Sequence, residues 1–377
     1  MTDADLLVEA AERFGTPLYV THLDRAAARA GAWRDALPGA LVAYAVKANP
    51  DPALLQRIAI DGLGFEVVGP VELALALRAG GDPRRIVVNG VGQTDADLAA
   101  ALGSGALVTA ESLGALDALL RSGDGRIGIR VNPGIAADTH PHLATGAADS
   151  KFGIAMDELA AARRALDGSR RRLDSIGAHI GSDVDDVGAF TRLAELLAGL
   201  AEDLGVERID IGGGFTGSPA ELTAAVRPHV PDPARLIVEP GRSVVAEAGW
   251  LLTRVVRVQA RGHLVADAGM TELIRPALYG ARHPVSVLRH GGSSADRSWT
   301  LSGPICEAGD ILGRDLRIGA DVGEGSLLAI GEVGAYGLAM ASGYNGRLLP
   351  AQAVIESGRL RLSRRRQTFE DIIARDA

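Results

Sequence analysis

The sequence is poor in cysteine and aromatic residues, and it has no long apolar run. Cys306 is the single cysteine among 377 residues, so an intrachain disulfide framework is excluded. No apolar stretch approaches the roughly 20 residues that a membrane helix needs. The first residues, Met1–Asp5, are acidic and lack the basic and apolar regions of a secretory signal. These features predict a soluble protein of the cytoplasm.

The balance of charge gives no sign of a nucleic-acid partner. The chain has 39 Lys and Arg against 47 Asp and Glu, a net charge of −8, and both signs are interspersed. No pair of histidines has the spacing of metal ligands, so we predict no metal site. Glycine, by contrast, is abundant at 48 residues, which suits many tight turns between strands and helices.

Eight short apolar runs alternate with Ala/Leu-rich segments of helical spacing. Strands that alternate with helices indicate a parallel sheet, and eight units in roughly 220 residues match a closed (β/α)8 barrel. An open doubly wound sheet is the alternative, although eight regular units favour closure. The predicted strands are Leu41–Val46, Gly64–Val68, Arg85–Asn89, Ala106–Thr109, Arg126–Val131, Ser175–Ile180, Arg208–Ile211 and Arg235–Val238.

The pattern changes after about residue 255, where short β-like pieces are separated by Gly/Asp turns without long helices between them. We therefore predict a barrel domain over residues 28–258 and an all-β domain over residues 259–377. Residues 1–27 would complete the all-β domain, because Pro17–Val20 reads as a further strand.

Polar and glycine residues follow the predicted strands directly, and active sites of such barrels lie at the carboxyl ends of the strands. Lys47 closes a buried apolar run, where desolvation would favour the neutral, nucleophilic amine that forms Schiff bases. A strand-end lysine that extends to solvent is the alternative. The residues at this edge are Lys47, Glu66, Asn89, Glu111, Arg130, His179, Gly212–Gly214 and Glu239.

The seventh and eighth strands are followed by motifs suited to a phosphate. Consecutive glycines, Gly212–Gly214, let backbone N–H groups approach a phosphate closely. Arg242 can bind a phosphate through the N–H groups of its planar guanidinium. Glu239 can pair with a protonated pyridine nitrogen. A tight turn with an ordinary surface ion pair is the alternative.

Two further residues carry weaker signals. His179 can stack on a flat ring, although a lone histidine is more often a core residue. Cys306 stands beside Glu307 in a Gly/Pro-framed loop and can donate a proton, although a single cysteine is usually inert and buried.

Together these motifs resemble the fold-type III, alanine-racemase-like family of pyridoxal-phosphate (PLP) enzymes, and within it the diaminopimelate decarboxylases. The resemblance covers essentially the whole chain. It is carried by Tyr44–Asn49, Arg130–Gly134, Ser150–Gly153, His179–Ser182, Gly212–Phe215, Glu239–Arg242, Arg275–Ala281, Cys306–Asp310 and Gly334–Gly337.

The resemblance implies PLP as cofactor and a role for each matching residue. Lys47 would hold PLP as a Schiff base, and Cys306 would act across a dimer interface as the acid that reprotonates the substrate carbon. A homodimer with shared sites would pair Lys151 with Asp310. PLP would be bound by Lys47, Arg130, His179, Ser182, Gly212, Gly213, Gly214, Glu239, Gly241, Arg242 and Tyr336. The substrate would be bound by Arg242, Arg275, Tyr279, Glu307 and Tyr336.

The implied reaction is decarboxylation of an amino acid, with meso-diaminopimelate giving L-lysine as the leading interpretation. Arg275 suits a distal carboxylate and Glu307 a distal ammonium. A racemase on this scaffold would need a second base, usually tyrosine, where Cys306 stands, and a non-catalytic PLP carrier would be expected to lack the all-β domain.

Several positions depart from the usual pattern of diaminopimelate decarboxylases. Ala308 replaces a serine, Asp183 replaces a glutamine, and Val88-Asn89-Gly90 stands in place of His-Gly-Asn. The alternative is therefore a related PLP decarboxylase of a natural-product pathway, acting on another amino acid that a carrier protein can deliver.

Overall fold

A computed structural model of the chain describes residues 2–135, 146, 150–169, 171–289, 296–374 and 376. Its helices are α1 (Asp3–Phe14), α2 (Leu23–Ala36), α3 (Pro52–Ile60), α4 (Pro70–Arg78), α5 (Asp95–Gly103), α6 (Leu113–Arg121), α7 (Leu159–Asp167), α8 (Val187–Leu204), α9 (Pro219–Val226), α10 (Arg242–Val245), α11 (Arg275–Tyr279) and α12 (Phe369–Ile373). Within these described ranges, no helix is both long and apolar enough to cross a membrane.

The strands of the described chain belong to two sheets. In chain order they are β1 (Leu18–His22), β2 (Leu41–Ala45), β3 (Gly64–Val67), β4 (Ile86–Val88), β5 (Leu107–Ala110), β6 (Arg126–Asn132), β7 (Ile154–Ala155), β8 (Ser175–Gly177), β9 (Arg208–Asp210), β10 (Leu236–Val238), β11 (Gly249–Gln259), β12 (His263–Ala266), β13 (Val285–Arg289), β14 (Asp296–Ser302), β15 (Ile311–Gly319), β16 (Leu327–Ile330), β17 (Ala351–Glu356) and β18 (Arg359–Arg364).

The chain divides into two compact units. The barrel unit comprises Ala27–Pro50 and Leu55–Val244, and the β unit comprises Met1–Ala26, Asp51–Leu54 and Val245–Ala377. The boundary that the sequence suggested at residue 258 falls inside β11. That strand pairs with β1, β12 and β16, which all belong to the β unit.

The barrel unit is a closed parallel barrel, as the eight predicted runs indicated. In the described chain the strand order is β5-β4-β3-β2-β10-β9-β8-β6, and pairing of β5 with β6 closes the ring. The short strand β7 pairs with β6 and was not predicted. Its two residues are too few to produce a recognisable apolar run.

The barrel strands are apolar along almost their whole length because both of their faces are covered. One buried cluster joins side chains from β2, β4, β5 and β10, which lie on different sides of the ring, so it fills the barrel interior. Its members are Leu41, Ala43, Val87, Leu107 and Ile237. This packed interior leaves the polar chemistry at the carboxyl ends of the strands.

Local sequence signals define the ends of the barrel helices. Thr94 with Asp97 and Ser218 with Glu221 form capping boxes at the starts of α5 and α9. Helix α8 ends at Gly205, whose φ of +65° is the left-handed conformation that glycine adopts without strain. These short connections return the chain to the next strand.

The β unit is built around β1, which confirms the predicted strand at Pro17–Val20. It pairs antiparallel with β11 and parallel with β17. Four strands of this sheet, β12, β13, β15 and β18, were not predicted. The strand β18 shows why: it lies at the sheet edge, its arginines are exposed, and its pattern lacks a buried apolar face.

We expect Ile237→Ala to lower the free energy of unfolding by about 2–5 kcal/mol, because Ile237 is fully buried in the barrel interior. Urea unfolding followed by circular dichroism measures this. Ile60→Ala is the matched control, since Ile60 is 80% exposed, and it should change stability by about 0.5 kcal/mol or less. Equal effects of the two substitutions would contradict the assignment of Ile237 to the core.

Candidate active site

Lys47 lies in a short 3-10 turn, Val46–Ala48, directly after β2. Its Nζ is 2.7 Å from Oε2 of Glu66, a fully buried residue of the neighbouring strand β3. The lysine side chain keeps 35% of its surface exposed toward the cavity described below. The sequence pointed to desolvation of this amine, whereas the structure adds a buried carboxylate that compensates its positive charge.

Asn89 follows β4 and stands between two buried glutamates. Its Nδ2 donates to Oε1 of Glu239 at 2.7 Å and lies 3.5 Å from Oε1 of Glu66. The residues that end β2, β3, β4 and β10 are thereby connected through side chains at one end of the barrel.

Glu239 is paired with Asp210, the last residue of β9, by a hydrogen bond between their side chains. Burial raises the pKa of Glu239 well above its usual value, and the charges of Asp210 and Glu66 raise it further. Burial also raises the pKa of Asp210, to about 6, although the N–H of Gly212 donates to Oδ1 at 2.8 Å and opposes this. The pair therefore retains a proton near neutral pH.

Arg130 is fixed on β6 by a carboxylate and a ring. Its Nη1 is 3.1 Å and 3.2 Å from the two carboxylate oxygens of Glu111, which is 4% exposed. The guanidinium also lies over the ring of Phe152, 4.7 Å from its centroid. One guanidinium nitrogen thus contacts both carboxylate oxygens, and this charge-assisted contact together with the ring holds the arginine in place.

His179 follows β8, and its imidazole is neutral. Burial is the main cause that lowers its pKa well below 6.5, and the nearby charges of Arg130 and Lys47 add to it. The backbone N–H of Gly213 donates to Nδ1 at 3.1 Å, so the ring proton resides on Nε2. A neutral, oriented imidazole presents a flat face to the cavity.

The turn after β9 requires glycine. Gly214 has a φ of +93°, and a Cβ there would lie 1.9 Å from the carbonyl oxygen of Gly181. A Cβ at Gly213 would lie 2.1 Å from the carbonyl oxygen of Glu239. The backbones after β8, β9 and β10 therefore approach more closely than side chains would allow.

Arg242, at the start of α10, joins this turn to the segment after β8. Its Nη2 donates to the hydroxyl of Ser182 at 3.4 Å, and its Nε lies 2.6 Å from Oδ1 of Asp183. Ser182 and Arg242 are thus brought together, as predicted, and Asp183 is an additional partner of the arginine.

A cavity of about 500 Å³ opens at the carboxyl ends of the barrel strands, a size typical of small-molecule sites. Its functional side chains are Lys47, Glu66, Asn89, Glu111, Arg130, His179, Asp210 and Glu239. In the part of the chain that the structure describes, no group of His, Cys, Asp or Glu is arranged to hold a metal ion.

The donor set of the barrel unit fits PLP. A lysine amine suits the aldehyde, a proton-bearing carboxylate pair suits the pyridine nitrogen, and a neutral imidazole suits the ring face. Ser182, Arg242 and the glycine turn supply the donors that a phosphate needs.

The remaining predicted residues belong to the β unit. Arg275 is 5% exposed, and its guanidinium lies 5.2 Å and 5.9 Å from the ring centroids of Tyr279 and Tyr336. Glu307 is exposed and accepts a hydrogen bond from the hydroxyl of Tyr344 at 2.7 Å. The thiol of Cys306 is exposed. Arg275 thus lies beside two of the tyrosines that were predicted to bind substrate, and Glu307 is held by Tyr344, which was not predicted.

Asp310 holds the loop that carries Cys306. Its two carboxylate oxygens each accept a backbone N–H bond at 2.6 Å, from Met270 and Ile305, and it is 2% exposed. The predicted pairing with Lys151, which is exposed, would therefore be added to this intrachain role. Burial raises the pKa of Asp310, and the two N–H donors oppose that rise.

Sequence reasoning placed Glu66, Asn89 and Glu111 at the correct barrel edge without giving them partners. It missed Asp210, although this acid stands two residues before the first glycine of the triplet. Its pairing with Glu239 joins residues 29 positions apart on neighbouring strands, which spacing in the sequence does not reveal.

Comparisons with known proteins identify the family of the chain. Residues 23–246 match the family model described as the pyridoxal-binding domain of pyridoxal-dependent decarboxylases. The diaminopimelate decarboxylase of Deinococcus radiodurans is 39% identical over 382 residues, covering 98% of this chain and 97% of that one. That of Pseudomonas aeruginosa is 38% identical over 405 residues, covering 99% and 97%.

A solved structure gives the same result for the fold. The crystal structure of diaminopimelate decarboxylase from Helicobacter pylori complexed with L-lysine matches with a TM-score of 0.92 and 30% identity, covering 98% of both chains.

We expect Asp210→Asn to change how stability depends on pH. A carboxyl whose pKa is raised on folding stabilises the fold below its ordinary value, and this contribution is lost as pH rises toward about 6. The free energy of unfolding of the variant, relative to the original protein, should therefore increase by roughly 1–3 kcal/mol between pH 4 and pH 6 and level off above. Urea unfolding across this range measures the difference. A difference independent of pH would contradict the raised pKa.

Proposed function

The chain belongs to the pyridoxal-dependent decarboxylases, and from this premise we propose that it converts meso-diaminopimelate to L-lysine and CO₂ with PLP as its cofactor. The observation that carries the proposal is the cavity in which Lys47, neutral His179 and the proton-bearing pair Glu239–Asp210 converge. The full-length similarity to diaminopimelate decarboxylases supports the choice of substrate.

The barrel residues divide the task of holding the cofactor. Lys47 would bind its aldehyde carbon, Glu239 would face the pyridine nitrogen, and His179, held by the N–H of Gly213, would cover the ring. Arg130, fixed by Glu111, lies near the amine of Lys47. The phosphate would be held by Ser182, Gly212, Gly213, Gly214, Gly241, Arg242 and Tyr336.

When bound, PLP supplies an electron sink for the charge that loss of CO₂ leaves on the substrate carbon. Burial raises the pKa of Glu239, so this residue would be able to supply a proton at the position of the pyridine nitrogen. Its carboxylate would then stabilise a positive ring, because opposite charges attract strongly in a buried site.

The β-unit residues suit the far end of the substrate. Arg275 presents a planar cation for the distal carboxylate, and the rings of Tyr279 and Tyr336 limit its movement. Glu307, oriented by Tyr344, is the partner for the distal ammonium. Arg242 would contribute from the phosphate side. The thiol of Cys306 would return a proton to the carbon that lost CO₂.

We place this activity in a homodimer, in which the Cys306 loop of one chain serves the barrel of the other and Lys151 meets Asp310 between chains. The exposure of Cys306 and Glu307 supports a shared site, because both are available to a second subunit. Lys151 is exposed as well, whereas Asp310 is 2% exposed, so their contact would require the Asp310 carboxylate to become accessible in the dimer. A working thiol also suits the reducing cytoplasm.

A related decarboxylase acting on another, carrier-delivered amino acid is the second candidate. The ion pair of Asp183 with Arg242 favours it, since the carboxylate reduces the charge that Arg242 can offer to a substrate. Ala308 likewise lacks the hydroxyl that the resemblance led us to expect.

We expect the protein, supplied with PLP and meso-diaminopimelate, to release CO₂ and form L-lysine, both followed by mass spectrometry. Ornithine, lysine, arginine and glutamate should react at least about tenfold more slowly, because they lack one of the two distal groups. Lys47→Ala is the control and should be inactive. Turnover of another amino acid without turnover of diaminopimelate would favour the second candidate.

We expect Lys47→Ala and Cys306→Ala to be nearly inactive separately and to regain activity when mixed. If each site takes Lys47 from one chain and Cys306 from the other, random exchange gives about half mixed dimers with one intact site each. The mixture should therefore reach about a quarter of the original activity. No recovery after verified subunit exchange would refute the shared site.

A further inference from the structure

The carboxyl ends of the barrel strands bring three buried acids close together. Glu66, Asp210 and Glu239 are 0%, 8% and 6% exposed. Burial raises the pKa of Glu239, and the charges of Asp210 and Glu66 raise it further. Lys47 compensates Glu66 directly at 2.7 Å. The neighbour of Glu239 is another carboxyl group, Asp210, and not a cation. The ionised form of Glu239 would therefore be stabilised by a hydrogen-bond donor that is not itself an acid.

Asn89 supplies such a donor from a fixed position. Its backbone N–H donates to the carbonyl of Val67 at 2.8 Å, and its own carbonyl accepts from Nε2 of Gln93 at 3.1 Å. The side chain then directs Nδ2 at Oε1 of Glu239, 2.7 Å away. The amide nitrogen faces both glutamates, which suits Glu66, because its carboxylate is ion-paired with Lys47 and can only accept.

We propose that Asn89 is a positioning residue of the cofactor site, which stabilises ionised Glu239 opposite the pyridine nitrogen and links it to the Lys47–Glu66 ion pair. The inference rests on the proposed function, in which Glu239 faces that nitrogen. When the proton passes from Glu239 to the ring nitrogen, the carboxylate becomes negative and the hydrogen bond from Asn89 becomes charge-assisted. Such bonds are about twice as strong as neutral ones.

Asn89 contacts both glutamates, so it can act through Glu239 or through Glu66. Its short contact is with Glu239, and its long one, at 3.5 Å, is with Glu66. A role through Glu66 would affect the amine of Lys47 and hence any aldehyde ligand. A role through Glu239 would affect only ligands that carry a basic ring nitrogen. The two routes can therefore be distinguished by the choice of ligand.

The test compares PLP with its 1-deaza analogue, in which a C–H group replaces the ring nitrogen. Equilibrium dialysis gives Kd for each ligand with the original protein and with Asn89→Leu, which keeps the side-chain size and removes the donor. We expect Kd for PLP to rise about tenfold or more, as for a lost hydrogen bond to a charged group. Kd for the analogue should change less than about twofold.

Two further variants complete the comparison. Asn89→His offers an N–H of similar reach and should restore the preference for PLP over the analogue. Gln93→Leu removes one of the two backbone contacts that hold Asn89 but keeps its side-chain donor, so it should raise Kd for PLP less than Asn89→Leu does. If Asn89→Leu does not fold, as judged by circular dichroism, Asn89→Ala replaces it.

The outcomes separate this inference from the proposed function. Equal weakening of both ligands, or no weakening of either, would overturn the role of Asn89 while PLP binding by the original protein still stands. Failure of the original protein to prefer PLP over the analogue would remove the role of Glu239, and that of Asn89 with it. Failure to bind PLP would overturn the proposed function itself.

Discussion

The candidate site depends on keeping several buried carboxylates side by side at one end of the barrel. Like charges in a poorly solvated place repel, and burial by itself disfavours the ionised form. Three interactions offset this cost: an ion pair at Glu66, an arginine contact at Glu111, and a hydrogen bond between the side chains of Asp210 and Glu239. A cationic ring beside Glu239 would offset the negative charge further, so affinity for such a cofactor follows from the electrostatics of these carboxylates.

Much of the barrel could be predicted from the sequence because its strands are covered on both faces and read as uninterrupted apolar runs. The eight predicted runs correspond to the eight barrel strands, and the polar residues after them do line one cavity. The β unit was harder to predict. Strands such as β15 and β18 are half exposed, and their charged side chains conceal the alternation that would identify them.

Partners within the site were the part that sequence could not supply. The glycine triplet, Lys47 and Glu239 can be recognised by residue type and position, but the contact of Lys47 with Glu66 depends on the register of β2 against β3. The pairing of Asp183 with Arg242 likewise depends on how two loops fold back at adjacent strand ends. Spacing along the chain carries no record of either contact, and both bear on substrate choice.

Asp310 holds the loop of Cys306 in place, because its buried carboxylate accepts hydrogen bonds from the backbone N–H groups of Met270 and Ile305. Gly303 and Gly269 leave room for it, because a Cβ at either would lie within 2.8 Å of its oxygens. A loop held in this way has already lost its conformational entropy on folding. Ligand binding then need not order it, so the binding energy of the ligand remains available for other interactions.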